Sequence, residues 1–367
     1  MTNSAVGAIA GAVALLAAAV LGSARAGPAT AEPGAAGANR GGAMLQRIVL
    51  DRRTEERVLA LDPERISEHE LRTTLARAPA PRIISLHGSV PLVTMRPFAK
   101  FLIAMGYPPE RLRNPRDGAY SYSSFTDSRQ LAGMLAWHYE REGMVPMLIG
   151  HSQGGMLTLK VLQDLAGGSG GPIAVWNPLT DEPDGRFVVV DPVTGAARPV
   201  AGLRVPYATA LATGSVMRVL LGQWGMLSRL RSIPDTVGEF TGFFIEWDPL
   251  AGTSPGSAQT NPYRATGSAV VRNVTLPADY GHISLLLTAH LAANPVTRDW
   301  ISRYSPHGDG AALPHGDDLD TRNILLAADI WHSVKKQWCL EAQRLIRAKR
   351  RLSGPQGLHM RGQQTQG

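Results

Sequence analysis

Met144-Val145-Pro146-Met147-Leu148-Ile149-Gly150-His151-Ser152-Gln153-Gly154-Gly155 is an apolar run that stops at a glycine, turns through a serine and restarts on two glycines. Residues 144–149 read as a buried strand. Residues 154–166 have helical spacing, and the glycine-rich stretch 167–171 ends that helix. A serine at a tight strand-to-helix turn is lifted above the sheet edge. Glycines two positions either side leave room for a strained backbone and for close packing of strand against helix. The N-terminal dipole of the new helix then faces charge that develops beside the serine oxygen. Ser152 is therefore the candidate nucleophile, and a serine nucleophile needs a base to take its proton.

The flanking sequence gives this turn a sheet to sit on. Residues 82–86 form another short apolar strand. Helical spacing follows over 92–105, ending at Gly106, and over 127–142, ending at Gly143. Residues 173–176 read as a further strand. Strands alternating with helices of this length predict βαβ units and a mostly parallel central sheet with helices on both faces, an α/β fold. Upstream, two short strands are expected at 47–51 and 57–61, a helical stretch at 63–76, and an extended stretch near 111–114. Downstream the alternation breaks. A hairpin is expected from 186–190 and 197–201, and 205–233 is apolar and helical in character. Strands resume at 242–247 and 270–276, and a long helix runs over about 321–351.

In strand–turn–helix serine enzymes the partners follow the nucleophile in the order acid, then histidine. His282 comes after strand 270–276 by a short loop, and Gly281 before it permits a sharp bend. His290, on the following helix, and His307, in a loop with no strand before it, are weaker candidates. Asp248 ends strand 242–247, where Pro249 stops the strand. Glu246 shares its face but is set back from the end, and Asp279 lies in the histidine's own loop. His87-Gly88-Ser89 ends strand 82–86. There the backbone N–H of Ser89, with that of Gln153, is placed to stabilise an oxyanion.

Ile84-Ser85-Leu86-His87-Gly88, Gly150-His151-Ser152-Gln153-Gly154-Gly155, Asp248 and Gly281-His282 together resemble the α/β-hydrolase family and its lipase and esterase members, over roughly residues 81–293. The resemblance implies a Ser152–His282–Asp248 triad and an oxyanion hole from Ser89 and Gln153. It also implies that 177–240, inserted after the sixth core strand, is a cap or lid. Leu220, Leu221 and Trp224 in that stretch then either line an acyl-binding site or bury the inner face of a small helical cap. The implied activity is hydrolysis of a carboxylic ester, small or lipid-like. An acyltransferase with the same triad, a peptidase and a non-catalytic binding protein on the same scaffold are the alternatives.

With 367 residues, 44% hydrophobic and 18% charged, the composition is that of an ordinary globular protein. The formal net charge is +7. Part of the excess is concentrated at Arg344, Arg347, Lys349, Arg350 and Arg351, which end the long helix. No zinc-finger spacing or aromatic RNA-binding motif accompanies it, so nucleic acid is not an expected partner. A solvated, basic amphipathic helix over 321–352 is expected, with a peripheral contact to an anionic membrane surface left open. No cofactor is implied.

The single cysteine, Cys339, excludes an internal disulfide and falls in an apolar helical pattern, as a buried thiol would. Residues 5–21 are apolar and are followed by Ala24-Arg25-Ala26. That is the form of a signal peptide over 1–26 on an exported, periplasmic or secreted protein, with an uncleaved membrane anchor as the alternative. A flexible linker is expected over 27–43, the hydrolase domain over 44–320 and a disordered tail over 353–367. Pro306-His307-Gly308-Asp309 recurs as Pro314-His315-Gly316-Asp317. The spacing matches no metal motif and reads as a polar loop.

Overall fold

Five strands make the central sheet: β1 (Ile83–Leu86), β2 (Met147–His151), β3 (Val205–Leu211), β4 (Val237–Ile245) and β5 (Val270–Leu276). The computed structural model describes residues 50–90, 93–168, 170–214, 229–308, 312–316 and 318–353. β1, β2 and β3 carry no Asp, Glu, Lys or Arg, as suits strands covered on both faces. All neighbours pair in parallel, in the order β1-β2-β3-β4-β5. Beyond β1 the edge is extended by a single parallel bridge from Leu86 to Tyr122. The protein is therefore an α/β fold with every carboxyl end of the sheet on one rim.

Alternate side chains of each strand enter two separate cores. Ile83, Met147, Ile149, Tyr207, Leu211, Phe243 and Ile245 face one. Ile84, Leu86, Leu148, Ala208, Ala210, Phe240 and Phe244 face the other. Among the helices are α1 (Arg52–Ala60), α2 (Arg96–Ala104), α3 (Ser128–Glu142), α4 (Gln153–Leu165), α5 (Ala289–Ala293), α6 (Pro295–Arg303) and α7 (Ile324–Ser353). Phe98, Phe101 and Leu102 of α2 and Trp331, Trp338 and Leu345 of α7 fill the first core. Leu131 and Leu135 of α3 and Leu159 and Leu162 of α4 fill the second.

Several expectations give way to this arrangement. Residues 57–61 are not a strand: Asp51 accepts the Thr54 N–H at 2.9 Å and starts α1 instead. A 3₁₀ turn, Pro109–Arg111, occupies part of the stretch expected to be extended. Trp176–Asn177 lies outside the central sheet and pairs antiparallel with Glu182–Pro183. The expected hairpin is present as Val188–Val190 against Ala197–Pro199. Val205–Leu211 is not helical; it is β3, in the middle of the sheet. Residues 177–240 therefore do not form one continuous insertion, because β3 and the start of β4 fall within them. The expected signal peptide, linker and C-terminal tail lie outside the described residues. Among the described residues no helix is long and apolar enough to cross a membrane.

α7 is a layer of the fold, where the sequence suggested a solvated element. Trp338 Nε1 donates to Pro79 O at 3.0 Å, and Gln343 Nε2 donates to the carbonyls of Val58 and Leu61, both at 3.0 Å. Lys335 Nζ, buried, donates to Ile66 O at 3.1 Å and Ser302 O at 2.9 Å. Its basic end is paired as well: Lys349 and Arg350 both reach Glu55 at 2.9 Å, and Arg344 pairs with Glu341. Cys339 is buried within the same helix, and burial pushes its thiol up to about 12.

Candidate active site

Parallel strands bring distant residues to one rim. His151 ends β2, and Ser152 begins the turn into α4. Asp248 lies three residues past the end of β4, and His282 six past the end of β5. His87-Gly88-Ser89 follows β1. Ser152 has φ 53 and ψ −117, a left-handed conformation that costs a non-glycine residue free energy and persists only where the surroundings impose it. They do so through backbone hydrogen bonds: Ser152 N–H to Leu211 O at 2.8 Å, and Gly155 N–H to Ser152 O at 3.1 Å. The Thr213 hydroxyl also donates to Ser152 O at 3.1 Å.

The glycines around this turn are set by packing. A Cβ on Gly150 would lie 2.3 Å from Gly154 O, and one on Gly154 would lie 2.2 Å from Leu86 O. α4 thus approaches β1 and β2 too closely for any side chain. Gly154→Ala should cost about 3 kcal/mol of stability, read as a drop in the urea midpoint. An unchanged midpoint would mean the helix can back away from β1.

His282 Nδ1–H donates to Asp248 Oδ2 at 2.6 Å. That leaves the Nε2 lone pair to accept from the Ser152 hydroxyl, at 3.0 Å. Asp248 is buried at 2% exposure, and its other oxygen accepts the Ala251 N–H at 3.0 Å. The rival carboxylates Glu246 and Asp279 are exposed. His290 faces Asp320 at 3.6 Å, and His307 is exposed. Gln153 opens α4, so its backbone N–H is one of the donors a helix N-terminus leaves without an intrahelical partner. Gly88 touches the same spot, since a Cβ there would lie 3.0 Å from Ser152 Cβ and 3.5 Å from its Oγ. Ser89 is the next residue. No protein-family model and no curated protein matches this sequence. The residues themselves carry the functional reading.

One participant has no signal in the sequence. His151 sits behind His282, their ring centroids 5.0 Å apart. Its Nε2 is 2.9 Å from the His282 backbone carbonyl. A carbonyl only accepts, so Nε2 carries the proton and holds the loop on which His282 stands. Burial, and then the positive charge that His282 can acquire, push His151 down to about 3. The unfolded chain, with an ordinary histidine near 6.5, then binds the proton that the folded state refuses. This contribution to stability is complete above about pH 6.5 and is lost as the pH falls toward 3. Replacing His151 with Gln, which can still donate to that carbonyl, should remove up to about 1.4 kcal/mol per pH unit from the acid slope of unfolding free energy near pH 5. Urea titrations of both proteins from pH 7.5 to 4.5 measure it; parallel slopes would show that His151 takes up its proton in the fold as readily as in the unfolded chain.

One cleft includes His282, and another includes His87, the residue before Gly88. The first, of about 440 Å³, is lined by His282 and by the apolar Val93, Pro97, Leu250, Ile283, Leu286 and Leu287. Leu250, Ile283 and Leu287 are exposed there, and Trp247 is nearby in sequence and 59% exposed. The other, of about 680 Å³, starts at His87 and is mainly polar. Leu220, Leu221 and Trp224, expected to contact an acyl group, lie outside the described residues, as do Asp309 and Asp317. Among the described residues no three His, Cys, Asp or Glu side chains gather as metal ligands.

Proposed function

We propose that the chain is a serine hydrolase of the α/β-hydrolase type that cleaves carboxylic esters through an acyl-enzyme on Ser152. The observation that carries this reading is the unbroken hydrogen-bonded line from Asp248 through His282 to Ser152, with the serine held in a strained turn at a helix N-terminus. Ser152 Oγ attacks the ester carbonyl as its proton passes to His282 Nε2, and Asp248 stabilises the imidazolium. The backbone N–H groups of Gln153 and Ser89 receive the oxyanion. When the tetrahedral adduct collapses, the ester C–O bond breaks and His282 returns the proton to the departing alcohol. Water, deprotonated by the same histidine, then releases the acid and restores Ser152.

The strand order supports the family reading too. The nucleophile turn follows an interior strand, the acid follows β4 and the histidine follows β5, the chain order of that family's triad. The apolar cleft at His282 supports an ester with an apolar portion. A fluorophosphonate, which reacts only with an activated serine, should label the protein at a single site that peptide mapping assigns to Ser152. Labelling at another serine, or none at all, would refute the proposal.

A further inference from the structure

We propose that the polar cleft beginning at His87 is a carbohydrate-binding subsite, so that one side of the ester held at Ser152 carries a sugar; this rests on the hydrolase reading of that site. Two clefts reach residues beside the nucleophile, one through His282 and the other through His87, and they differ in chemistry. The apolar one contains His282. The polar one contains His87, whose neighbour Gly88 packs against Ser152. A substrate spanning both must be apolar on one side of the scissile bond and hydrogen-bonding on the other.

The lining of the polar cleft narrows the class. Asp117, Asp127, Ser121 and Ser123 supply carboxylates and hydroxyls there. Asp117 and Asp127 are fixed in place: one oxygen of Asp117 accepts the Ala119 N–H at 2.9 Å. One oxygen of Asp127 accepts the N–H groups of Arg129 and Gln130 at 2.8 and 3.1 Å. The second oxygen of each accepts nothing from the described residues. Amid these groups Phe125 is 63% exposed. It stands on a rigid turn, with its own N–H on Ser123 Oγ at 3.1 Å and the next N–H on Ser123 O at 3.2 Å. A bare aromatic ring beside oriented carboxylates and hydroxyls matches a sugar, whose C–H face stacks on an aromatic ring while its hydroxyls donate to carboxylates. An inorganic anion would meet Asp117, Asp127 and Asp181 against one arginine, Arg116, which is already paired with Asp181, and an alkyl chain would leave the carboxylates desolvated and unpaired. A volume of about 680 Å³ accommodates a monosaccharide or a disaccharide.

The test compares four esters by pH-stat: 6-O-butyryl-glucose, methyl glucuronate, ethyl butyrate and butyrylcholine. The first two place the sugar on opposite sides of the ester bond, the third has none, and the last offers Phe125 a cation. At least one sugar ester should be cleaved with a higher kcat/KM than both ethyl butyrate and butyrylcholine. Phe125→Ala should lower the ratio of its kcat/KM to that of ethyl butyrate about tenfold. Binding is read separately, by saturation-transfer NMR with 6-O-butyryl-glucose and methyl glucuronate on Ser152→Ala, where sugar-ring protons should be saturated and Phe125→Ala should abolish it. No saturation of the ring protons of either compound, a preference for butyrylcholine, or an unchanged ratio in Phe125→Ala would each overturn the subsite. Sugar binding with no turnover and no fluorophosphonate labelling would keep the subsite and refute the hydrolase instead.

Discussion

Replacing Ser152 with alanine is expected to lower kcat for a simple ester such as p-nitrophenyl butyrate by about 10⁶-fold, leaving only the residual rate that substrate binding and an oxyanion hole can supply. The size of the effect follows from the way the site is wired. His282 Nε2 has one hydroxyl to act on, at 3.0 Å. Without it neither the covalent intermediate nor its two easier steps exist. Stability should change little. Alanine suffers the same penalty as serine at φ 53, and the backbone hydrogen bonds to Leu211 and Gly155 do not involve the side chain. Steady-state kinetics with melting curves as a control make the measurement. An alanine variant that folds normally and retains even a tenth of wild-type turnover would remove Ser152 from the chemistry.

Asp248→Asn is the next largest expected loss, about 10⁴-fold in kcat. The Ala251 N–H can still be accepted by an asparagine oxygen, so the turn survives. What changes is the group facing His282 Nδ1. An amide nitrogen there would donate toward Nδ1, favouring the tautomer with the proton on Nε2, which cannot take the serine proton. Glu246→Gln and Asp279→Asn, at exposed positions without this contact, should each stay within a few-fold of wild type. Three purified variants and one substrate suffice. If Glu246→Gln is the inactive variant and Asp248→Asn the active one, the acid has been misassigned.

The rim residues were readable in advance because each leaves a local signature. Gly150 and Gly154 bracket a serine between an apolar strand and a helix, and Asp248 and Gly281-His282 each follow a strand. The elements that escaped the sequence lack such a signature. β3, Val-Pro-Tyr-Ala-Thr-Ala-Leu, is covered on both faces and shows no alternation of period two. It is followed by more apolar residues, so length and composition favoured a helix. α1 carries Arg52, Arg53, Glu55, Glu56 and Arg57. The N-cap Asp51 is the local feature that favours a helix there. α7 looked like a solvated basic element because its partners, Glu55, Val58, Leu61, Ile66 and Pro79, lie far away in sequence. His151 occupies a position of the serine motif at which any residue is admissible, and nothing local marks its bond to the His282 carbonyl.

The placement of α7 has a consequence for the timing of synthesis. Its hydrogen bonds to Pro79 and its ion pair with Glu55 join residues separated by 259 and 294 positions. Contacts of such long range close late and slowly. Until α7 has been made, the face of the sheet that it shares with α2 lacks Trp331, Trp338 and Leu345, and residues 55–79 lack their α7 partners. The α3–α4 side of the sheet can therefore close before the α2–α7 side is complete.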